Sequence, residues 1–586
     1  MKRVPVQVSA VLLALSVVAY GVELRPEVFV SGKDNYWQTG EVTDGSSATV
    51  TVNESQKYQE WHGFAGTFNE AGWDALSALS ASDRDSAIKL LFDAEDGIGF
   101  TWGRIPIGAS DYALVRYTLN ETADDTGMEH FSLERDENYL IPYIKAAQAV
   151  KSDIRFWASP WTPPTWMKSG AASSDGFDGG VMRNEPKYLR ANALYLARFV
   201  EEYTAKGIPI DAICPQNEPG YTQNYPSCGW GIYRTPDNTN INGTEYLSDF
   251  VKDYMVPTMQ TRCPETDIWF GTLSNDTYAS TYWNAAKSKA GQNIKAVGLQ
   301  WNNSSMVAGI ANDGYLVIQS EHQCGNYPWL SARANSRADA NRDNFLQSMA
   351  PNNHAYGEES WDLIVKWIKA GVNVYSAWNM VLDTKGLNLD DIRIWPQNAL
   401  LAVDKQAHGL EVTPAYYVFR HIGQYVKPGA IRLGTQGGDA LAFLNTDSSI
   451  ITILFNSNQQ QSQVTVSVNG QHPQFTVPGR GWATLCMRPI VSTKRGISSN
   501  QSVDYGKGLK VSGSRNGYKV ALPSSSMGAG RIELVTLTGR VLESKAIPQG
   551  SREVVLDKRL TSTAGLLLVR VVHGGETRTA RLFNAH

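Results

Sequence analysis

The sequence has few cysteines for its length. Cys214, Cys228, Cys263, Cys324 and Cys486 are the only five in 586 residues. So few, and an odd number, do not make a disulfide framework, and their spacing is not that of a metal site. One interpretation is a single bridge between Cys228 and Cys324, which both lie in predicted loops on one face. Free buried thiols are the other interpretation.

Excess charge, long apolar segments and the short motifs of several enzyme classes are also missing. The formal net charge of −4 gives no general case for binding nucleic acid or an anionic membrane. After the N-terminus no stretch reaches about 18 uninterrupted apolar residues, so no transmembrane helix is predicted. The nine histidines show no His-Glu-x-x-His spacing, and no Gly-x-Ser-x-Gly elbow stands on a strand-to-helix turn. The sequence therefore predicts no metal, no cofactor and no Ser/His/Asp hydrolase.

Aromatic residues, in contrast, are abundant, and the first 21 residues have the pattern of a secretory signal peptide. The chain has 17 Trp and 26 Tyr, whose faces suit sugar rings. At the N-terminus, basic Met1-Lys2-Arg3 precedes an apolar run from about Val8 to Val18 and the small-x-small site Ala19-Tyr20-Gly21. We therefore expect an exported protein, either secreted or held at the cell surface.

A chain of this length is too long for a single core and predicts several domains. After the signal peptide at 1–21 we predict N-terminal strands at 22–60, a catalytic barrel at 61–409, a β-sandwich at 410–490, a linker at 491–506 and a C-terminal β domain at 507–586. The strands at 22–60 are too few to form a domain alone. We expect them to join the sandwich, which is then built from both flanks of the barrel.

Residues 61–409 alternate short apolar runs with amphipathic stretches, a pattern typical of strand–helix units. The predicted strands are Gly63–Phe68, Phe100–Gly108, Ile154–Pro160, Ile210–Glu218, Asp267–Leu273, Ala296–Asn302, Tyr315–Glu321 and Asn373–Asn379. Predicted helices between them include Ser82–Phe92, Glu137–Val150, Lys187–Lys206, Glu245–Met259 and Glu359–Ala370. Eight such units predict an α/β protein with a (β/α)8 TIM barrel, and an open doubly wound sheet is the alternative.

Two carboxylates stand at the ends of predicted strands, where barrel enzymes carry their working residues. Glu218 ends the fourth strand, just before Pro219, and Glu321 ends the seventh. These strands lie three apart around a barrel, so their tips are expected to face each other across its mouth. Glycoside hydrolysis needs such a pair, because one carboxylic acid protonates the leaving oxygen while one carboxylate attacks the anomeric carbon.

Other polar and aromatic residues share these strand ends. Arg104 is either a salt bridge at the bottom of the barrel or a cation that keeps a catalytic carboxylate ionised. Asn217 is either a cap or a donor to a sugar 2-hydroxyl. The sixth strand ends in Gln300-Trp301-Asn302, and we predict that Trp301 contacts substrate. Four further tryptophans are either core residues or together a stacking surface for sugar, namely Trp161, Trp166, Trp378 and Trp395.

Five segments resemble the signature sequences of family 30 glycoside hydrolases, the glucosylceramidase and endo-β-1,6-glucanase family. They are Gly63–Glu70, Arg104–Gly108, Ser159–Lys168, Gln216–Pro219 and Gln319–Glu321, within a resemblance that covers about residues 45–490. The resemblance implies a (β/α)8 barrel fused to a β-sandwich and a retaining mechanism. It also implies Glu218 as general acid/base and Glu321 as nucleophile. Positions that contact the sugar or the catalytic acids in the family are matched by Arg104, Asp111, Trp161, Asn217 and Trp378.

One departure from the family pattern concerns the substrate. Glucosylceramidase-type members carry His-x-Tyr after the sixth strand, where this chain has Gln300-Trp301-Asn302. We therefore predict a retaining β-glycoside hydrolase that acts by double displacement on a β-glucan or a related β-linked glycan. The alternatives are a glucosylceramidase-like or a xylan- or galactan-directed hydrolase of the same family, and a non-catalytic carbohydrate-binding surface protein.

The C-terminal residues, from about Asp504, resemble the sorting domains that route bacterial proteins through the outer membrane. Residues 541–556 and the ending Gly565–Thr577 carry this likeness. It implies secretion machinery as a partner of the C-terminal module. A plain β accessory domain that binds carbohydrate is the alternative.

Overall fold

The computed structural model describes residues 24–274, 278–324, 352–390 and 396–489, together with eight strands between residues 502 and 583. The chain separates into two units, one up to Pro489 and one from Ile490 onward. The predicted signal peptide lies outside the described residues, as do Trp395 and most of the predicted linker. Within the described residues, no helix is long and apolar enough to cross a membrane.

The first unit contains a closed barrel of eight strands, which confirms the predicted fold class. In chain order, which is also the order around the barrel, its parallel strands are Gly63–Thr67, Trp102–Ile107, Arg155–Pro160, Ala212–Ile213, Asp267–Leu273, Ile294–Gln300, Leu316–Glu321 and Val374–Asn379. The barrel interior is a packed core that combines large aromatic and small side chains. It is formed by Trp102, Trp157 and Trp269 against Ala65, Ala212, Ala296 and other apolar side chains.

The fourth barrel strand is much shorter than the predicted Ile210–Glu218. Only Ala212–Ile213 pairs with both neighbouring strands. Pro215 has no N–H to give to a ladder, and Glu218 has a φ of 49°, far from the β region. The chain therefore leaves the sheet early, as a loop that carries Asn217 and Glu218.

Helices follow the barrel strands, and each of the five predicted helical stretches overlaps at least one of them. The α-helices are Glu70–Ser77, Ala81–Phe92, Leu140–Val150, Pro186–Ala205, Leu247–Phe250, Val256–Arg262, Ala279–Ala290, Val307–Asn312, His354–Ala370 and Pro414–Gly423. Short 3₁₀ turns occur at Thr165–Met167, Gly291–Asn293 and Asn303–Met306. Side chains of Ser80, Asn353 and Thr413 cap three of the helices by accepting a backbone N–H three residues on.

The helix predicted at Glu245–Met259 differs from the others. It begins at Leu247 and contains a π-helical turn, Val251–Met255. Pro257 follows this turn and has no N–H to donate to the preceding turn, so one α-helical hydrogen bond is lost there.

A ten-stranded sheet forms the rest of the first unit, and both flanks of the barrel contribute to it, as the sequence predicts. Across the sheet the strands are Asn35–Gly40, Leu24–Gly32, Gly481–Pro489, Ile450–Asn456, Asp439–Leu444, Ala430–Gln436, Val50–Trp61, Ser462–Ser467, Pro473–Val477 and Thr43–Asp44. Leu24–Gly32 pairs antiparallel with Gly481–Pro489, so strands more than 400 residues apart in the chain are neighbours. The sheet has its own apolar core, which includes Val28, Val52, Leu433, Leu454 and Phe475.

Small sheets also extend the loops that follow three of the barrel strands. After the third strand, Lys168–Ala171 pairs with Gly179–Met182, and after the fourth, Tyr233–Arg234 pairs with Asn240–Ile241. After the eighth strand the small sheet consists of Val381–Asp383, Leu401–Asp404 and Gly409–Val412.

In the described part of the second unit the strands form two four-stranded antiparallel sheets, which agrees with the predicted all-β fold. One holds Ser502–Asp504, Lys510–Ser514, Gly517–Ala521 and Glu553–Asp557, and the other Val541–Ile547, Gly530–Thr536, Leu566–His573 and Glu576–Phe583. The first of these strands lies inside the predicted linker. The sorting role of this unit stays a prediction.

All five cysteines are buried free thiols, so the bridge between Cys228 and Cys324 is wrong. The Cys228 thiol is directed to the carbonyl oxygen of Gly229, while the Cys324 sulfur accepts a hydrogen bond from the Tyr356 hydroxyl. Burial raises the pKa of both thiols to about 12, which keeps them protonated and unreactive.

Candidate active site

Arg104 is the residue around which the polar groups at the strand ends are arranged. It lies in the second barrel strand, and its side chain is completely buried. Its guanidinium donates to Glu321 Oε2 at 2.8 Å and to Asn217 Oδ1 at 2.7 Å. It also donates to Ser159 Oγ at 3.1 Å. One cation therefore joins residues of the second, third and seventh strands and the loop after the fourth. The sequence left a barrel-bottom salt bridge open for Arg104, and this geometry excludes it.

Asn217 has its amide orientation fixed by three donors. Its Oδ1 accepts from Arg104 at 2.7 Å, from Thr272 Oγ1 at 2.6 Å and from Gln300 Nε2 at 3.0 Å. All three donors lie on the oxygen side, so the amide must turn its Nδ2 away from them. That nitrogen is a donor only, and it is the group that Asn217 can offer to a ligand.

The carboxylate of Glu321 is buried and accepts hydrogen bonds from neighbouring side chains. Its residue surface is 7% exposed. Oε2 accepts from Arg104 at 2.8 Å and from Gln300 Nε2 at 2.9 Å. Burial raises the pKa of Glu321, while the charge and hydrogen bond of Arg104 and a hydrogen bond from Trp301 act in the opposite direction. The ionised carboxylate therefore depends on these donors.

Glu218 lies at the same end of the barrel as Glu321 and is equally buried, at 7% exposure. Its backbone takes the left-handed conformation, with a φ of 49°, which is rare for a residue with a side chain. The conformation is fixed by its N–H, which donates to the carbonyl of Thr272 at 2.9 Å, and by the N–H of Tyr221, which donates to its carbonyl at 3.0 Å. Backbone strain of this kind on a loop that follows a barrel strand is a frequent mark of a functional residue.

Two of the predicted tryptophans form one wall of the site. The rings of Trp161 and Trp378 stack with centroids 5.4 Å apart, and the Arg104 guanidinium lies 4.4 Å from the Trp161 ring and 5.3 Å from the Trp378 ring. Asp111 lies beside them and accepts a hydrogen bond from Trp161. Burial raises the pKa of Asp111 well above its usual range, and the negative charge of Glu321 raises it further. These rings are therefore a buried wall that supports Arg104 and Asp111 rather than an exposed platform.

The structure brings most of the predicted site residues together. Arg104, Asn217, Glu321, Trp301, Trp161, Trp378 and Asp111 are linked by the contacts described above. Trp166 is not part of this group, because its indole N–H donates to the Asn120 carbonyl at 3.1 Å and its ring lies against Tyr188. Among the described residues, no group of three or more His, Cys, Asp and Glu side chains is arranged to hold a metal ion.

Three residues of this network were not predicted as site residues. Gln300 ends the sixth strand and contacts both Asn217 and Glu321. Thr272, next to the last residue of the fifth strand, donates to Asn217, and Ser159 accepts from Arg104. Each is a polar residue at a strand end, which is the signal that could have identified it. Their partners are side chains of other strands, and pairing across strands is not visible in sequence spacing.

A closed (β/α)8 barrel with one buried glutamate on the loop after its fourth strand and another at the end of its seventh strand, the latter paired with an arginine, is the arrangement of a glycoside hydrolase. The comparisons with known families agree. Residues 61–426 match the glycosyl hydrolase family 30 TIM-barrel domain, and residues 429–485 match the glycosyl hydrolase family 30 beta sandwich domain. The chain belongs to glycosyl hydrolase family 30.

The named proteins that this chain resembles are distant from it in sequence. The chain is 25% identical over 452 residues to putative glucosylceramidase 2 of Caenorhabditis elegans, covering 70% of this chain and 77% of that protein. It is 22% identical over 513 residues to an endo-1,6-β-D-glucanase of Neurospora crassa, covering 83% of this chain and 98% of that protein. Among solved structures, the endo-β1,6-glucanase BT3312 superposes with a TM-score of 0.64 at 23% identity, covering 79% of this chain and 99% of that one.

Proposed function

We propose that this protein is a retaining β-glycosidase that cleaves a β-linked glucan by double displacement. Glu321 attacks the anomeric carbon while protonated Glu218 gives its proton to the departing oxygen. The bond between the anomeric carbon and that oxygen breaks, and the sugar is left as a glycosyl ester of Glu321. Deprotonated Glu218 then takes a proton from water as the water oxygen attacks the anomeric carbon, which releases the sugar and regenerates the Glu321 carboxylate.

The observation that carries this proposal is the pair of donors on one oxygen of Glu321. Arg104 and Gln300 both donate to Oε2, at 2.8 and 2.9 Å. Two donors fix the plane of the carboxylate, and the arginine charge favours its ionised form. We assign the attack to Oε1, the oxygen that these two donors do not hold. A nucleophile must be ionised and aligned before the sugar arrives, and this arrangement supports both requirements.

The roles of Glu218 and Asn217 are supported by their place on one loop. Asn217 has its amide oxygen turned toward Arg104, Thr272 and Gln300, which directs its N–H donors away from them. We assign that donor to the 2-hydroxyl of the sugar in the site, where a hydrogen bond that strengthens in the transition state is most useful. Glu218 follows directly in the chain, and we assign it to the leaving oxygen on the same sugar.

For the substrate, we infer a β-1,6-glucan or a related β-linked polysaccharide. Two of the similar proteins are named as endo-1,6-β-glucanases, and the match to this chain covers 98% of one and 99% of the other. The sequence Gln300-Trp301-Asn302 replaces the His-x-Tyr of glucosylceramidase-type members, which weighs against a ceramide-linked glucoside. An N-terminal signal pattern and hence an exported protein also fit a polysaccharide.

The test is hydrolysis of a matched panel by the wild-type protein, with β-1,6-glucan, β-1,3-glucan, xylan and glucosylceramide, and with products sized by chromatography. We expect β-1,6-glucan to be preferred and the newly formed reducing end to have the β configuration when followed by NMR at early times. Glu321→Gln should abolish turnover while leaving the far-UV spectrum unchanged and thermal unfolding cooperative. Wild-type activity in Glu321→Gln would overturn the assignment, and an α-configured first product would overturn retention.

Export and sorting complete the proposal. We infer that residues 1–21 direct the protein out of the cytoplasm and that the C-terminal unit takes part in its passage to the surface. N-terminal sequencing of protein recovered from the medium or the cell surface should begin near residue 22. Wild-type localisation of a chain that ends at Pro489 would contradict the sorting role of the C-terminal unit.

A further inference from the structure

We propose that Gln300 is a positioning residue that aligns the nucleophile Glu321 with Asn217, so that attack on the anomeric carbon and contact with the sugar 2-hydroxyl are coupled. This inference rests on the proposed function of the two residues that it joins. Gln300 itself is completely buried at the end of the sixth barrel strand.

One nitrogen of Gln300 makes every contact that supports this role. Its Nε2 lies 2.9 Å from Glu321 Oε2, 3.0 Å from Asn217 Oδ1 and 2.8 Å from Thr272 Oγ1. An amide nitrogen has two hydrogens. One of them therefore points to Glu321, while the other is shared between Asn217 and Thr272, which lie together on the other side. A movement of Glu321 away from its position would pull on the amide that also holds Asn217.

The other end of the same amide argues against a purely structural role. Gln300 Oε1 is buried and finds no hydrogen-bond donor among the described residues. A buried acceptor without a donor destabilises a folded protein, and an apolar side chain of the same shape would avoid that cost. A local rule of folding broken in this way is expected where a residue serves function rather than stability.

The chemical type of the residue also fits the role. All three acceptors around Nε2 are oxygens, and one of them belongs to a carboxylate, so the position needs a donor. A carboxyl group would add a further negative charge next to Glu321, and one of the two would then hold a proton. A carboxamide donates without titrating, so Glu321 can lose its proton independently of its neighbour.

The test compares Gln300→Met with wild type on an aryl β-glucoside and on its 2-deoxy analogue. Methionine keeps the length and approximate volume of glutamine but has no N–H. We expect kcat on the glucoside to fall about 100-fold, because the nucleophile is no longer held in line, with KM within about threefold. The preference of wild type for the 2-hydroxyl, measured as the ratio of kcat/KM values, should shrink about tenfold in the variant. The Tm should stay the same or rise.

Gln59→Met is the matched control. The Gln59 amide is bonded at both ends, donating to the Ile368 carbonyl at 2.6 Å and accepting from Arg432 at 2.9 Å, and it lies outside the site. That variant should lose Tm and keep both kcat and the preference for the 2-hydroxyl. If Gln300→Met behaves in the same way, Gln300 is structural and the inference is overturned.

Gln300→Glu gives a second, independent measurement. The new carboxyl group shares a proton with Glu321, so the acidic limb of the pH profile of kcat/KM should move to higher pH. An unchanged acidic limb would contradict the inference, as would a failure of both variants to fold. Failure of this inference can be told apart from failure of the proposed function. If the wild-type protein hydrolyses no glycoside, the proposed function is wrong. If the wild-type protein is active, the ratio of kcat/KM between variant and wild type tests the role of Gln300 alone.

Discussion

Arg104 and burial act on Glu321 in opposite directions. Burial raises the pKa of this carboxyl group, whereas the arginine charge and hydrogen bond lower it. In the proposed mechanism Glu321 attacks as a carboxylate, so we expect activity to be lost as the pH falls through the pKa of Glu321. A buried cation at 2.8 Å is therefore part of the pH dependence as well as of the geometry.

We predict that Arg104→Lys moves the acidic limb of kcat/KM to higher pH. Lysine keeps the charge but loses the planar fork that reaches Glu321 and Asn217 together. The carboxyl group then loses part of what opposes burial, its pKa rises, and a higher pH is needed to ionise it. We also expect kcat to fall about 100-fold at the optimum. Arg155→Lys is the control. Arg155 is the first residue of the third barrel strand, at the end of the barrel away from the site, where it forms an ion pair with Asp211. An acidic limb that stays in place in Arg104→Lys would contradict this prediction.

Glu218→Ala is expected to separate substrates by leaving group. An aryl glucoside with an acidic phenol needs little protonation, so its glycosylation step should be affected far less than that of a polysaccharide. Added azide should restore turnover of the aryl substrate by replacing activated water and should give a β-glycosyl azide. Initial rates with and without azide on both substrates measure this. Equal losses on both, with no rescue, would argue against the acid/base role.

Asp136 allows a prediction about stability. Its carboxylate is fully buried and accepts from the hydroxyls of Tyr117 and Tyr203, at 2.8 and 2.6 Å. Burial raises its pKa to about 7, and the two hydroxyl hydrogen bonds only partly oppose this. Between the ordinary pKa of an aspartate and this value the unfolded chain has released the proton while the folded chain keeps it. The free energy of unfolding should therefore decrease as the pH rises from about 4 to about 7.

The variant Asp136→Asn should lack this pH dependence. Its stability relative to wild type is expected to improve as the pH rises from 4 to 8, by up to about 4 kcal/mol. Urea unfolding at several pH values measures the difference. The exposed Asp85→Asn serves as control. Parallel pH curves for wild type and Asp136→Asn would contradict the raised pKa of Asp136.

At this scale the sequence identifies residues that are unusual for their position, and it fails for residues that act through a neighbour. Glu218 and Glu321 could be predicted because a carboxylate at the end of an apolar strand has no ordinary packing explanation. Arg104 and Asn217 were predicted with alternatives left open. The contacts of Gln300 and Thr272 could not be predicted, because they depend on the register between neighbouring barrel strands. That register shifts at irregular positions in the fifth and sixth strands, which the sequence does not reveal.

At the scale of elements, the loops at the mouth of the barrel are joined by Arg116. Its Nε donates to both oxygens of Asp178, at 2.8 and 3.0 Å, and Nη2 donates to the carbonyls of Asn224 and Leu389 at 3.1 and 3.0 Å. These partners lie in the loops after the third, fourth and eighth strands, and Asn224 is in the loop that carries Glu218. One side chain thus fixes the relative positions of three walls around the site.

We predict that Arg116→Met affects long substrates more than short ones. The loops should shift without unfolding, and under the proposed function a chain of sugars contacts these loops more extensively than a single glucoside does. We expect kcat/KM on the polysaccharide to fall about tenfold, and that on an aryl glucoside about twofold. Arg262→Met is the matched control, since Arg262 makes a similar two-bond pair with Glu201 on the outer helices, both at 2.8 Å. Equal losses on both substrates would contradict a role for Arg116 in binding the longer substrate.

The type and order of the elements could be predicted better than their ends. All eight barrel strands were found from apolar runs, because both faces of a parallel strand are buried. The fourth strand was predicted to reach Glu218 and ends at Ile213, since backbone conformation beyond Pro215 depends on contacts such as that of Glu218 with Thr272. Likewise, amphipathic periodicity predicts a helix through Val251–Met255 but does not reveal a π-helical turn.

At the scale of the whole molecule, the barrel and the ten-stranded sheet share buried contacts. The His421 ring, on the helix Pro414–Gly423, lies 2.8 Å from the hydroxyls of Ser31 and Thr484, which belong to two strands of the sheet. Burial lowers the pKa of His421 to about 3, so the ring stays neutral and needs both partners. Trp361, on the helix His354–Ala370, donates its indole N–H to Asp439 at 2.5 Å.

We predict that a chain of residues 22–489 folds and retains wild-type kcat and KM on a soluble glucan. Every contact described for the site lies within this first unit, and among the described residues the strands of its barrel and its ten-stranded sheet pair only with each other.

A chain of residues 61–428 should instead aggregate or melt without cooperativity. Removing the ten-stranded sheet would expose Trp361, which is fully buried in the whole protein and packs against Phe455 of the sheet, and would leave His421 without its two hydroxyl partners. Calorimetry and initial rates on the two truncated chains and the full chain measure this. Loss of kcat in the 22–489 chain would mean that the C-terminal unit contributes to catalysis, and a cooperative, active 61–428 chain would mean that the sheet is dispensable for the barrel.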